Sequence, residues 1–336
     1  MKKFGIVMSM AVILVVIGAA SYFVFKKSIK KNPVETEIVH SECLGKDEVA
    51  SYKINEKGLI GTDVIIEIKN KTDGNVLFSF VINGIFRSYH PIELHVCGVY
   101  VMRMFNYDDD KVKQGNYDIR MELWKYDYTG NGFSLILLAD YSYDFRVDPQ
   151  EVYVSLERGY SGKENYALVV KDFNNNIDEF ILSRESLTQS NPEFISLFRL
   201  EDWTKDGSYF WARLSAGAYT DAFLRIKRND WKVEVLPAPS GVLGGTALNV
   251  DKGYVTQLPG HVWTGIDVAT EEVKKEWIKQ GKISQLYLFN LLSRNRILLA
   301  TTTEPLWSFN TQWISDTELQ YGMPNGEKKI YTINEK

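Results

Sequence analysis

The sequence predicts an all-β body, and three observations predict it. β-Branched and aromatic runs recur in pairs, each pair closed by a tight turn of Asn, Asp and Gly. A single stretch carries a helical pattern. The chain has 336 residues, 13% of them aromatic, enough for a large β core.

The body is preceded by residues 1–31, which read as a membrane anchor. Residues 4–25 contain no charge, with Lys2 and Lys3 before them and Lys26, Lys27, Lys30 and Lys31 after. As a helix this run spans about 33 Å, the depth of a bilayer core. A cleaved signal peptide is the rival reading, since Gly18, Ala19 and Ala20 are small. The apolar run continues through Tyr22, Phe23, Val24 and Phe25, which favours an uncleaved single-pass anchor. The flanking lysines barely distinguish the two orientations. A long domain translocates largely regardless of them, so the body is expected outside the cytoplasm.

Residues 32–48 are polar, include Pro33 and read as a stalk. The domain then runs over 49–336. Residues 62–69 alternate and turn back into 76–82 across Thr72-Asp73-Gly74-Asn75. The same grammar pairs 117–126 with 133–138, 166–173 with 177–182, 222–227 with 231–236, and 286–291 with 297–300. Pro324-Asn325-Gly326 leads into a last strand at 329–333. Residues 269–280 form the one predicted helix, with Val273 and Trp277 on one face and Gly281 as its stop.

Acidic turns precede four of the hairpins, at Asp148, Asp206, Asp251 and Asp316, with spacings of 58, 45 and 65. Each leads into a strand, and the hairpin that follows reads like Gln285-Leu286-Tyr287-Leu288-Phe289-Asn290-Leu291. This pattern resembles the repeats of TolB-like and WD-type β-propellers, mainly over 146–336. The resemblance implies a propeller of up to six blades with one inserted short helix, and protein partners bound at its loops. Residues 49–54 are then expected to close the ring by completing the last blade. The alternative is a β-sandwich at 45–145 followed by a smaller β-repeat domain at 146–336.

Outside the first 31 residues, 33 Lys and Arg face 43 Asp and Glu, a surplus of about ten acids that disfavours nucleic acid. The two cysteines, Cys43 and Cys97, allow one disulfide, which would contribute roughly 4 kcal/mol in the chain-entropy model. Two free thiols are nearly as compatible with the spacing. Asp172, Asn174, Asn176 and Asp178 place oxygen ligands at alternate positions, as calcium loops do. Ile177 occupies the turn-glycine position and Ser183 the closing-glutamate position, so an Asn-rich hairpin tip is the favoured reading and no metal is assigned. His90, Glu93, His95 and Cys97 are the one cluster of transition-metal ligand types, too few for a closed zinc site. His261 and Trp263 are the candidates for a ligand rim.

No nucleophile elbow, phosphate loop, zinc-protease or dinucleotide signature occurs, so no catalytic residue and no cofactor is assigned. The expected function is an extracytoplasmic binding or scaffolding module, tethered through residues 4–25, whose partners are envelope proteins or glycans. One alternative is an envelope hydrolase acting on glycans or peptides, which needs two carboxylates about 5–10 Å apart at a pocket. Another is an adhesin-like surface protein, which needs a protruding apolar patch.

Overall fold

The computed structural model describes residues 38–39, 44–45, 47–55, 62–85, 92–95, 97–105, 120–129, 132–139, 142–159, 166–190, 197–216, 219–243, 246–259, 271–305 and 308–334. The apolar run 4–25 and the stalk up to residue 37 lie outside them. Among the described residues no helix is long and apolar enough to cross a membrane.

The strands fall into blade-sized units. The first comprises β1 (Ile38–Val39), β2 (Glu48–Asn55), β3 (Thr62–Asn70) and β4 (Val76–Ile85). The second comprises β5 (Ile92–His95), β6 (Gly98–Phe105), β7 (Arg120–Tyr126) and β8 (Phe133–Ala139). The third holds β9 (Ser142–Val147), β10 (Tyr153–Arg158), β11 (Ala167–Asp172) and β12 (Asp178–Ser183). In the fourth are β13 (Leu197–Trp203), β14 (Tyr209–Ala216), β15 (Tyr219–Lys227) and β16 (Val233–Pro237). The fifth contains β17 (Leu248–Asn249), β18 (Tyr254–Gln257), β19 (Ser284–Asn290) and β20 (Arg296–Thr302). The last has three strands, β21 (Gln312–Trp313), β22 (Glu318–Gly322) and β23 (Lys328–Thr332).

Each unit is an antiparallel meander in chain order. The first two merge into one eight-stranded sheet through a single registered pair, Ile85 with Arg103. Six units result, as the hairpin spacing predicts. The expectation for 49–54 is corrected: β2 is an interior strand of the first unit, paired with β3 from Glu48 to Asn55 and with β1 on its other side. Ser51, Ile54 and their neighbours match the length of β3, whereas β23 keeps an unpaired edge among the described residues. Among the described residues two helices are found rather than one. α1 (Arg184–Ser190) follows β12, and α2 (Glu271–Lys279) is the segment the pattern predicts. α1 escapes the reading because it is seven residues long and its Leu187 alone contributes to a core.

Burial explains the stacking. Every apolar cluster bridges consecutive units. Ile66 and Val64 meet Ile92 and Val101 between units one and two. Met102 and Leu123 meet Phe145 and Leu156 between two and three. Leu168 and Val170 meet Phe198 and Leu224 between three and four. Trp211 and Phe223 meet Val255 and Phe289 next, and Leu286 meets Phe309 and Tyr321 last. Burying one such side chain contributes about 1.5–3 kcal/mol, so a sheet without its neighbour would lose most of its stability. The architecture is propeller-like.

One hairpin recurs between the third and fourth strands of five units. Asn70, Asp127, Asp172, Lys227 and Asn290 each donate a backbone N–H to the carbonyl five residues on, at 2.9–3.0 Å. Four of the five add a side-chain cap: the Oδ1 atoms of Asn70, Asp127, Asp172 and Asn290 accept the amide two residues later at 2.8, 2.9, 2.6 and 3.0 Å. The penultimate turn residue is left-handed, as in Gly74 (φ 69°), Asn176 (φ 54°) and Arg294 (φ 63°). In the fourth unit that position is Trp231 (φ 51°), held by its packing on Tyr153 and Phe180.

The turns between first and second strands also repeat, but two residues out of the register the acidic positions suggest. Asp148, Thr204 and Asn249 are equivalent, each facing a tyrosine five residues on: Tyr153, Tyr209 and Tyr254. Asp206 and Asp251 lie two residues further along, inside the turn.

A meander places both sets of tight turns at one end of the stack. The longer connections and both helices lie at the other. Neighbouring turns are bonded to each other: Gln150 Nε2 donates to the Asp206 carbonyl (2.8 Å), the Lys205 N–H to Asp251 Oδ1 (2.7 Å) and Asn249 Nδ2 to the Asp316 carbonyl (2.7 Å).

Asn290 is the most heavily engaged cap. Its Oδ1 accepts from the amides of Leu292 and Ser293, and its Nδ2 donates to the Lys252 carbonyl. Asn290→Ala is expected to lower stability by about 2 kcal/mol, read as a shift of the urea midpoint. Asn70→Ala, at a half-buried cap with fewer partners, should cost about half as much.

Candidate functional site

The first strands of units two, three and four lie side by side. Glu93 Oε2 on β5 accepts the Val147 N–H of β9 at 2.7 Å. Arg146 Nε on β9 donates to the Glu201 carbonyl of β13 at 2.6 Å. Trp203 Nε1 donates to the Arg146 carbonyl at 3.4 Å. These strands bring their charged side chains into one cluster.

Arg146 is its centre. Its Nη1 reaches Asp144 Oδ1 at 2.8 Å and Glu93 Oε1 at 3.5 Å. Both carboxylates therefore share one guanidinium nitrogen, and the space between them is filled. His95 lies between Glu93 (Nε2 at 3.4 Å) and Glu151 (Nδ1 at 3.9 Å) and meets the Tyr100 ring edge-on. Glu151 takes a left-handed backbone (φ 54°), accepts from the Tyr100 hydroxyl at 2.9 Å and pairs with Lys125.

One guanidinium cannot neutralise this many acids. Burial pushes Asp144 up to about 7, against the lowering influence of Arg146. Burial also raises Glu157 to about 7, opposed by the hydrogen bond from Tyr166 and helped by Asp144. Asp202 is raised to about 6 by crowding protein first and Glu93 second, with Arg146 opposing. Asp202 is nevertheless exposed to solvent. Burial works against the charge on Arg146, but Asp144, Glu93 and Asp202 outweigh it and hold the guanidinium protonated. The cluster thus behaves as a coupled unit that retains protons near neutrality. Its outermost group, Asp202, is suited to meeting a cationic or hydrogen-bond-donating ligand.

Glu93 and His95 belong to the ligand-type cluster singled out in the sequence. Cys97 lies in the adjoining turn and is disulfide-bonded; Cys43, the one other cysteine of the chain, lies outside the described residues, as does His90. Asp144, Arg146 and Asp202 escape a sequence reading. The available signal is the charge at alternate positions of Tyr143-Asp144-Phe145-Arg146-Val147, in a strand with Phe145 and Val147 in the core. Asp172 Oδ1 accepts the amides of Asn174 (2.6 Å) and Asn175 (3.1 Å), and Asp178 faces Arg158 and Lys171, each at 2.7 Å. Asn176 Oδ1 accepts from Lys171 Nζ at 3.4 Å. Among the described residues no group of three His, Cys, Asp or Glu is placed to hold a metal ion. His261 and Trp263 lie outside the described residues, in the segment between β18 and α2.

A separate cleft of about 390 Å³ opens at the tight-turn end, lined by Gln150, Asp206, Tyr209, Lys227, Arg228 and Asn229 among others. Its chemistry is committed to the fold. Arg228 Nη1 donates to the fully buried Asp148 at 2.7 Å and stacks on Tyr153 at 4.7 Å. Hydroxyls of Thr204 and Ser208 hold Asp206 down to about 2.

Two outcomes follow from the cluster. The folded chain binds protons on Asp144 and Glu157 more tightly than the unfolded chain does, between roughly pH 4 and 7. Stability should therefore fall as pH rises from 5 to 8, by a few degrees in Tm, and Asp144→Asn should flatten the profile. Arg146→Leu strands two buried carboxylates and should cost about 3–5 kcal/mol in urea unfolding, with partial rescue by adding Asp144→Asn.

No protein-family model and no curated protein matches the sequence. Among solved structures, the chain is similar to an oligogalacturonate lyase in complex with manganese, with a TM-score of 0.51 and 11% identity over 86% of this chain and 75% of that one. It also aligns with the β-propeller domain of the Trilobed protease from Pyrococcus furiosus (TM-score 0.46, 9% identity, 90% of this chain, 82% of that one). TolB from Acinetobacter baumannii aligns at a TM-score of 0.36 and 11% identity, over 85% of this chain and 79% of that one. The first of these is close enough to support a shared fold, and at that identity it speaks for the fold alone.

Proposed function

We propose that this chain is a membrane-tethered, extracytoplasmic β-propeller that works as a binding or scaffolding module of the cell envelope. The observation that carries the reading is the disulfide at Cys97. Such bonds persist in oxidising compartments, so a bonded Cys97 supports a body outside the cytoplasm. Residues 4–25 supply the tether. The charged cluster supports binding over catalysis, because Asp144 and Glu93 share one guanidinium and leave no free acid–nucleophile pair. The partners suited to it are envelope proteins or glycans that offer cationic or hydrogen-bond-donating groups to Asp202.

Asp202 also favours a second reading, an envelope hydrolase, since a solvent-reaching carboxyl raised to about 6 can serve as a general acid.

The full-length chain should stay with membranes through alkaline carbonate extraction, and removal of residues 4–25 should release it. In intact cells the body should be open to added protease, and its thiols should resist alkylation until reduced. Membrane retention with freely alkylated thiols would place the body in the cytoplasm and overturn the reading. Turnover of glycan or peptide substrates that Asp202→Asn abolishes would select the hydrolase instead.

A further inference from the structure

We infer that the loop-and-helix end of the stack rests on the lipid surface through α2 and the turn after it, which form an interfacial contact beside the tether. The inference rests on the anchoring proposed above and adds which end of the body faces the bilayer.

Chain direction is the first support. β1 runs toward the β1–β2 connection, whose Leu44 packs in the cluster that also holds Tyr128, from the β7–β8 turn. That connection therefore lies at the tight-turn end, and Ile38, the first described residue, lies at the opposite end. Seven backbone steps lead from Lys31 to Ile38, a reach of at most about 25 Å. A body on so short a lead has one end close to the bilayer, and α1 and α2 occupy that end.

The chemistry of α2 is the second support. Ile278 is 64% exposed and Ile283 41% exposed, a large apolar area to leave in water. Between them the exposed Lys279 and Lys282 frame the patch, with Lys275 one turn earlier; Lys279 also faces the exposed Glu276 at 3.8 Å, so Lys275 and Lys282 supply the surplus positive charge. Trp277 is half-buried, with its indole Nε1 enclosed by protein and unpartnered and the rest of the ring partly open, and Lys282 Nζ lies 5.6 Å from its ring centre. Exposed Ile beside Trp, rimmed by Lys, suits the boundary between acyl chains and anionic headgroups. The helix is only nine residues long, too short to bind a membrane alone, but a tether holds it at high local concentration.

The test uses the full-length chain reconstituted in vesicles of phosphatidylcholine and phosphatidylglycerol, with acyl chains brominated near the headgroup. The difference between wild-type and Trp277→Phe emission isolates Trp277 from the other tryptophans. Expected is strong quenching of that difference signal, reduced by half or more in Ile278→Asp, with both proteins still floating with the vesicles. Flotation without quenching of Trp277 overturns this inference and leaves the anchor standing. Loss of flotation by the wild type overturns both. Protection of residues 271–283 from hydrogen exchange that grows with protein concentration, without quenching, assigns the patch to a second copy of the chain and also overturns the inference.

Discussion

The constraint on which the rest depends is that no single sheet of this chain can bury both of its faces. Each unit has three or four short strands with apolar side chains above and below. β14 shows it most plainly: Phe210, Ala212 and Leu214 face the third unit, while Trp211 faces the fifth. Such an interior sheet depends on one neighbour at each face. Successive meanders therefore stack face to face, and the apolar clusters form a series between them. Strand order within each unit then follows from short turns, because neighbours in sequence are the cheapest neighbours in space.

Stacking has an electrostatic consequence where the first strands converge. Their backbones come close enough for Glu93, Arg146 and Trp203 to bond the main chain of a neighbouring strand. A crowded place of this kind is costly for charge, and Asp144, Glu157 and Asp202 answer by holding their protons more tightly. Arg146 keeps its charge because several acids surround it. The same geometry that joins the units makes their junction sensitive to pH and leaves Asp202 exposed beside it.

The two ends of the stack differ for a topological reason. Turns within hairpins are short and repeat one geometry, with an Asn or Asp cap and a left-handed residue, so one end is a rigid band of mutually bonded turns. Connections at the other end must cross a sheet or pass to the next unit. Two of them carry insertions, α1 and α2.

Much of the fold is legible in the residues alone. The hairpins at 62–82, 166–182, 222–236 and 286–300, and the helix near 269–280, follow from alternation, turn composition and helical spacing, which are local properties. The equivalence of Asp148 with Thr204 and Asn249 is not local: it appears only when each residue is seen facing its tyrosine across a turn. β2 as an interior strand of the first unit, rather than the closing strand of the last, is likewise a matter of partner choice. Glu93 and His95 stand out in sequence as ligand types, yet their neighbours Arg146, Asp144 and Asp202 are 50 to 110 residues away. Sequence by itself determines what each short segment can form, because turn and strand preferences act over a few residues. Tertiary structure alone decides which segments meet, because the burial of apolar faces brings distant charges together without leaving any periodicity to read.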